Sequence, residues 1–186
     1  MILLRHGQAE FNVVYSRTRV DPGIHDPRLT EDGRRQAEEA AARLGRHRLE
    51  RLVSSPYTRA LETAVIVAEA LGLAVEIEPL VREYCLFHCD IGSPRSALEQ
   101  RWPGVDFTMI EERWWPNLDE SEEMLAARGQ DFRRLMAGRA DWERTAVITH
   151  WGFIRALTGL QVPNGHLLRF DPHSGTAADL AQGGVP

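Results

Sequence analysis

The sequence predicts an α/β fold with a largely parallel central sheet, and two observations support this prediction. Short apolar segments alternate with segments of helical apolar spacing along the first half of the chain. This alternation is typical of parallel strands joined by right-handed helical crossovers. In addition, three of the predicted strands end in polar residues, which indicates a ligand site at the carboxyl edge of the sheet.

Length and composition predict one domain over residues 1–186, large enough to bury a real core. The net charge of −5 gives no sign of a nucleic-acid surface. No apolar run approaches the roughly 20 residues of a membrane helix, and Arg5 interrupts the apolar start too early for a signal peptide. We therefore expect a cytoplasmic protein without membrane or nucleic-acid partners, and its oligomeric state stays open, a homo-oligomer included.

All 22 basic residues are arginine. The absence of lysine excludes a Schiff-base lysine, and with it a pyridoxal-phosphate enzyme, as well as a P-loop lysine. The two cysteines, Cys85 and Cys89, are too few for a disulfide framework.

The first half of the chain contains three predicted strands. The first, at 2–4, is followed by a polar segment to residue 27 that we expect to be a loop. The strands at 49–54 and 74–77 are each preceded by a predicted helix. The helix N-caps are predicted at Thr30 and at Ser55, with Pro56 as the first helical residue of the second helix.

The segment 81–119 is irregular, interrupted by prolines and rich in tryptophan. Long irregular segments in compact domains often form lids or substrate walls. An aromatic plug over the core is the alternative, and the sequence does not decide between the two.

The last third of the chain is predicted to contain two helices and two strands. A helix over 121–136 has Ser121 as its N-cap. The acidic run around it, with Glu111, Glu112, Glu120, Glu122 and Glu123, is expected to be a solvated face. A strand at 145–149, a helix at 151–160 and an edge strand at 167–170 follow, and the tail 175–186 is expected to be loosely held. The predicted buried side of the first helix consists of Met124, Leu125, Phe132, Leu135 and Met136.

Two histidines and two arginines follow the predicted strand ends: Arg5 and His6 after the first, Arg59 shortly after the second, and His150 after the fourth. Arginine side chains match phosphate oxygens bidentately, and a neutral imidazole is a competent nucleophile. Neighbouring cations would keep the pKa of His6 low and neutralise charge in a phosphoryl-transfer transition state. Glu83 is the best-placed acid for the leaving group, although it could instead be a solvated loop residue.

Five blocks of this chain resemble, in order, the motifs of the histidine phosphatase superfamily, also called phosphoglycerate mutase-like. The resemblance implies a three-layer α/β/α sandwich, a phosphohistidine on His6, and no metal or other cofactor. It also implies a phosphate pocket made of Arg5, Arg59 and His150, with Asn12 helping and Glu83 as the proton donor. One departure is Trp151, which stands where many members have glycine. The five blocks are 4–12 (LRHGQAEFN), 26–33 (DPRLTEDG), 54–64 (SSPYTRALETA), 80–83 (LVRE) and 147–150 (VITH).

The function predicted in this way is a metal-independent phosphomonoesterase of the branch 1 type acting on a small phosphate ester. Two rivals stay open: a phosphoglycerate-mutase-type phosphotransferase, and a regulatory binding module that has lost turnover. Cys85, His88, Cys89 and Asp90 have residue types that bind zinc, but their spacing matches no standard closed site, so we expect ordinary packing there.

Overall fold

The computed structural model describes residues 1–180 and contains a six-stranded sheet between two layers of helices. The strand order is β3-β2-β4-β1-β5-β6. The strands β1, β2, β3 and β4 are parallel to one another. The strand β5 runs antiparallel to β1, and β6 runs antiparallel to β5. The strands are β1 (Ile2–Arg5), β2 (Arg51–Ser54), β3 (Val75–Ile77), β4 (Thr145–Thr149), β5 (Leu167–Phe170) and β6 (Ala177–Asp179). The helices are α1 (Glu10–Thr18), α2 (Glu31–Leu44), α3 (Thr58–Leu71), α4 (Arg95–Arg101), α5 (Glu122–Ala137) and α6 (Trp151–Thr158).

The two faces of the sheet bury alternate residues of the same strands, as the two-residue period of a strand requires. On one face, Leu3 and Val147 pack with Phe132 of α5 and Phe153 of α6. On the other face, strand residues such as Ile148 pack against the small side chains of α2 and α3. The predicted α/β class, the three layers and the largely parallel sheet are therefore confirmed. No helix within residues 1–180 is both long and apolar enough to cross a bilayer.

Three predicted helix starts can be compared with the structure. Thr30 accepts a hydrogen bond from the Gly33 N–H at 3.0 Å, and Ser121 accepts one from the Met124 N–H at 3.2 Å, so both predicted N-caps are confirmed. The prediction for α3 is wrong, because Tyr57 is its N-cap and the helix begins at Thr58. The Ser55 hydroxyl is engaged with His150 instead.

Residues 10–18, predicted as loop, form α1. Only Phe11 of this helix is buried, so the helix lacks the apolar stripe that would have identified it. Its start is fixed by contacts distant in sequence, since the Glu10 N–H donates to Arg28 O at 3.0 Å. Tertiary contacts thus determine this helix more than its own sequence pattern does.

Several finer predictions are wrong for related reasons. The strand β5 is not an edge strand, because part of the tail that was expected to be loosely held forms β6 beside it. Residues 181–186 of that tail lie outside the described part of the chain.

In α5, Met124 and Leu135 are exposed by 54% and 37%, so the apolar face is narrower than predicted. Glu120, expected on a solvated face, is only 3% exposed because it pairs with two arginines.

Candidate active site

The two histidines that follow β1 and β4 meet at the carboxyl edge of the sheet. These strands are neighbours, and Arg5 lies opposite Thr149 in their register. The His6 N–H donates to Thr149 O at 3.0 Å, which holds the residue after β1 against the end of β4. The imidazole rings of His6 and His150 are consequently 5.0 Å apart between centroids, and both residues are buried.

The contacts of His6 determine which ring nitrogen is free. Its Nδ1 lies 2.7 Å from Gly7 O. Because a carbonyl oxygen only accepts, Nδ1 carries the hydrogen of the neutral ring and the lone pair lies on Nε2. Burial, followed by the charges of Arg59 and Arg5, lowers the pKa of His6 well below its usual value. His6 is therefore neutral near pH 7, with Nε2 as the nucleophilic atom.

His150 is held by a serine that sequence reasoning took only for a helix cap. Its Nε2 lies 2.7 Å from the Ser55 hydroxyl oxygen, which itself accepts from the Tyr57 N–H at 3.4 Å. In the tautomer in which Nε2 accepts the hydroxyl hydrogen of Ser55, Nδ1 carries the ring hydrogen. That Nδ1 atom is buried and has no partner within residues 1–180. Burial and Arg59 lower the pKa of His150 well below its usual value, so its ring is neutral as well.

Arg59 lies in the first turn of α3 and is 3% exposed. Its NH1 donates to Cys89 O at 2.7 Å and its NH2 donates to Asp90 Oδ1 at 3.0 Å. The guanidinium also lies 4.5 Å from the ring centroid of Tyr57, in a cation–π contact. Burial alone would lower the pKa of Arg59, but neighbouring anionic groups outweigh it and raise the pKa, so the side chain is always charged.

Arg5 supplies the second cation of the site. Its NH1 donates to Val162 O at 2.7 Å, whereas its Nε is buried without a partner among the described residues. Burial lowers the pKa of Arg5 to about 10, which leaves it charged at neutral pH. The two guanidinium groups thus place positive charge beside two neutral imidazoles.

Glu83 is not a solvated loop residue, because its Oε1 accepts from two backbone N–H groups. These are the N–H groups of Tyr84 and Gly152, each at 2.8 Å. Gly152 lies in the first turn of α6, so the helix start directly faces the carboxylate. Burial, and next the charge of Asp90, raise the pKa of Glu83 against the opposing effect of Arg59. Glu83 therefore keeps a proton to higher pH than an ordinary glutamate.

A buried ion-pair network holds the backbone of Glu83 in place. Arg128 donates to the carbonyl oxygens of Leu80, Arg82 and Glu83 at 2.7, 2.8 and 3.2 Å. The same guanidinium makes two bonds of 2.9 Å to the carboxylate of Glu120. Hydrogen bonds from Arg128 thus hold the segment 80–83 against α5. The sequence did not predict this contact, because the partners lie far apart in the chain.

Asn12 faces the backbone after β1. Its Oδ1 accepts from the Ala9 N–H at 2.9 Å and from Asn164 Nδ2 at 3.3 Å, while Asn164 also donates to His6 O at 3.1 Å. The amide nitrogen of Asn12 is therefore the part of its side chain that can serve a ligand. Asn164 is a further residue of this site that no motif indicated.

We assign no step of the reaction to the ring of Trp151 or to the thiol groups of Cys85 and Cys89, although the Cys89 carbonyl accepts from Arg59. Trp151 is partly exposed and stacks with Arg155, at 5.5 Å from the guanidinium carbon to the ring centroid. Cys85 and Cys89 are buried free thiols. Burial raises the pKa of Cys85 to about 12, so this thiol is unreactive. His88 pairs with Asp21 at the surface, and within residues 1–180 no three His, Cys, Asp or Glu side chains are grouped as a metal site would require.

Together these side chains have the chemistry that binding of a tetrahedral anion requires. A neutral nucleophilic nitrogen, a second imidazole, two fixed cations and a carboxyl of raised pKa follow the carboxyl ends of the four neighbouring strands β1 to β4. Such a set can bind a phosphoryl group, accept it on nitrogen and protonate the departing oxygen. The predicted site residues are thus brought together, and Ser55 and Asn164 are added to them.

Comparison with known proteins agrees with this geometry. The sequence profile of the histidine phosphatase superfamily (branch 1) matches residues 1–184. Glucosyl-3-phosphoglycerate phosphatase from Mycobacterium tuberculosis is 34% identical over 167 residues, which cover 85% of this chain and 73% of that protein. The same-named protein of Mycolicibacterium vanbaalenii is 33% identical over 180 residues, covering 90% and 78% of the two chains.

A solved structure shares the fold as well. Mycobacterial glucosyl-3-phosphoglycerate phosphatase in complex with VO3 superposes with a TM-score of 0.65 at 26% identity, covering 98% of this chain and 97% of that one. The match of the family profile is nearly full length, and two relatives above 30% identity span most of the chain. The chain therefore belongs to branch 1 of the histidine phosphatase superfamily.

Proposed function

We propose that this protein is a phosphomonoesterase that transfers the phosphoryl group of a small phosphate ester to His6 and then to water. The observation that carries the proposal is the 2.7 Å contact of His6 Nδ1 with Gly7 O, which leaves the lone pair on Nε2 in a buried ring whose pKa is lowered by burial and by the charges of Arg59 and Arg5. A neutral imidazole in that setting attacks phosphorus without first having to lose a proton.

The reaction has two steps. In the first, His6 Nε2 forms a bond to phosphorus, the bond from phosphorus to the leaving oxygen breaks, and the Glu83 carboxyl gives its proton to that oxygen. In the second, the oxygen of a water bonds to phosphorus while Glu83 takes a proton from that water, the bond from phosphorus to His6 Nε2 breaks, and inorganic phosphate leaves with His6 neutral again. The raised pKa of Glu83 suits this exchange, because the group starts protonated and ends each turnover protonated.

The non-bridging phosphoryl oxygens are bound by Arg5 and Arg59, with the Nδ1–H of His150 and the amide nitrogen of Asn12 as further donors. Each of these side chains is already anchored through its other polar atoms. Pre-organised donors of this kind stabilise the charge of the transition state without having to reorient.

The leaving group lies against the segment 81–119, which we infer to be a substrate wall. Phe87 of this segment packs on Phe11 and Tyr15 of α1, with ring centroids 5.6 and 5.1 Å apart, so the wall joins the helix that carries Asn12. The relatives named above act on glucosyl-3-phosphoglycerate by name, which makes small phosphorylated metabolites the substrate class to test first.

The proposal is tested by the steady-state hydrolysis of p-nitrophenyl phosphate and of a metabolite panel that includes glucosyl-3-phosphoglycerate. We expect phosphate release to continue in excess EDTA, because Arg5 and Arg59 supply the positive charge that a metal would otherwise provide. Loss of activity in EDTA that returns with a divalent cation would contradict this expectation. Product analysis with and without a bisphosphate primer separates a phosphatase from a mutase.

Gly152→Ala tests the contact between α6 and Glu83. A Cβ atom at this position would lie 2.5 Å from Glu83 Oε1 and 2.7 Å from Tyr84 Cβ, so Glu83 must move. Because a misplacement of about 1 Å can cost on the order of 10²-fold in rate, we expect kcat for an alkyl phosphate to fall by about that factor. Gly104→Ala is the matched control, since nothing lies within 4 Å of a Cβ there. Equal kcat values for the two variants would show that Glu83 need not be held in this position.

A further inference from the structure

We propose that Asp90 is a positioning residue that fixes the guanidinium of Arg59 for phosphate binding and attaches the substrate wall to the phosphate pocket. This inference rests on the proposed function and assigns a role to a wall residue that no sequence motif indicated. Asp90 is 1% exposed, and Arg59 is 3% exposed. A buried carboxylate paired with a buried guanidinium is costly unless its geometry is good and its remaining lone pairs are satisfied.

The carboxylate of Asp90 meets both conditions. Its Oδ1 accepts from Arg59 NH2 at 3.0 Å and from the Cys89 thiol at 3.4 Å. Its Oδ2 accepts from the backbone N–H groups of Leu86 and Phe87 at 3.1 and 3.0 Å. One oxygen thus faces the phosphate pocket and the other closes a turn of the wall.

The rest of the Arg59 environment also comes from this turn and from Tyr57. Arg59 NH1 donates to Cys89 O at 2.7 Å, and the guanidinium lies over the Tyr57 ring. The Tyr57 hydroxyl in turn donates to Asp90 O at 2.6 Å. Arg59 is therefore immobilised in the absence of phosphate, and phosphate binding does not have to order this flexible side chain.

Charge gives Asp90 a second effect. The pocket contains two arginines whose mutual repulsion is not relieved by the neutral histidines. The Asp90 carboxylate offsets part of this positive charge, and it also contributes to keeping Glu83 protonated. Without it, Arg59 would be a buried cation with only the Cys89 carbonyl as an acceptor on that side, and the guanidinium would lose one of the two hydrogen bonds that fix it.

The alternative is that Asp90 only closes the 86–90 turn and that Arg59 would hold its position without it. The experiment compares Asp90→Asn and Asp90→Glu with the wild type and with Asp141→Asn. Asp141 pairs with Arg51 at 2.8 Å near the amino ends of β2 and β4, which is the end of these strands opposite to the candidate site. This control removes a carboxylate–arginine pair that is partly exposed, and whose arginine also pairs with Glu76, without touching the site.

The readouts are the Kd of inorganic phosphate by calorimetry, kcat and KM for an alkyl phosphate, and the pH profile of kcat/KM. For Asp90→Asn we expect phosphate to bind about 10-fold more weakly and kcat/KM to fall by about 10- to 100-fold, the usual size for loss of a hydrogen-bonded charge pair. The falling limb of its pH profile should move to lower pH, because a carboxylate that raises the pKa of Glu83 is gone. Asp141→Asn should match the wild type in all three readouts.

Wild-type phosphate affinity and wild-type kcat/KM in Asp90→Asn would overturn the inference, even if that variant unfolds at a lower temperature. If Asp90→Asn does not fold, Asp90→Glu decides the question, because glutamate keeps the charge but cannot keep the same distance to Arg59. About tenfold weaker phosphate binding in Asp90→Glu supports the inference, and unchanged binding overturns it. A wild-type protein that neither binds phosphate nor hydrolyses esters would instead refute the proposed function itself.

Discussion

The His6→Ala variant is expected to lose turnover of p-nitrophenyl phosphate, with kcat/KM falling by about 10⁴-fold or more, because the atom that accepts the phosphoryl group is gone. The remaining pocket still contains Arg5, Arg59 and His150, so inorganic phosphate should continue to bind. A covalent phosphoenzyme, trapped by rapid quenching and detected by mass spectrometry, should be present in the wild type and absent from the variant.

Two controls make this result interpretable. His6→Asn retains most of the side-chain volume at a position that is only 2% exposed, so it separates a lost nucleophile from a disturbed core. His173→Ala removes an exposed histidine in the turn before β6, away from the site, and should have wild-type activity. Full activity in both His6 variants would rule out this residue as the nucleophile.

The Glu83→Gln variant is expected to lose about 10²- to 10⁴-fold in kcat/KM for an alkyl phosphate, the usual contribution of a general acid. An alkoxide is a poor leaving group and needs the proton that glutamine cannot give. With 2,4-dinitrophenyl phosphate, whose leaving group needs no proton, kcat/KM should change little. The measurement is therefore the ratio of kcat/KM values for the two esters in wild type and variant, and an equal loss for both esters would contradict the acid role.

The pH dependence follows from the directions of the two pKa shifts. Glu83 must be protonated in the first step, so wild-type kcat/KM for the alkyl ester should hold below its raised pKa and fall as the pH rises through it. His6 has a lowered pKa and remains an unprotonated nucleophile throughout the neutral range, so the rise of kcat/KM with pH that belongs to its deprotonation should be complete below pH 6.5. The limb that belongs to Glu83 should be absent from the Glu83→Gln profile.

The carboxyl edge of the sheet was the part of the molecule that sequence predicted best. His6 and His150 each follow an apolar strand directly, and neighbouring parallel strands bring their carboxyl ends together whatever the intervening chain does. The helix α1 was missed because it buries little more than Phe11 and depends on contacts such as that between Glu10 and Arg28.

The partner charges of the site could not be predicted from the sequence. Asp90 lies 31 residues from Arg59, and Arg128 lies 45 residues from the Glu83 carbonyl that it contacts. Residue type and local spacing do not specify such pairs, because they depend on how the irregular segment and α5 pack against the sheet. Glu120 was placed on a solvated face for the same reason: the sequence around it is acidic, but the sequence does not show the arginines that bury it.

Two glycines from different motifs, Gly7 and Gly33, set how the first loop of this protein can vary. A Cβ atom on Gly7 would overlap the Gly33 carbonyl oxygen, and one on Gly33 would overlap the Gln8 carbonyl oxygen. The first turn of α2 is therefore in direct backbone contact with the chain that carries the nucleophile. Because this contact fixes both ends of the stretch between them, residues 19–25 can vary without moving the backbone that carries His6, but a change at Asp21 removes the acceptor of the His88 N–H and so reaches the wall.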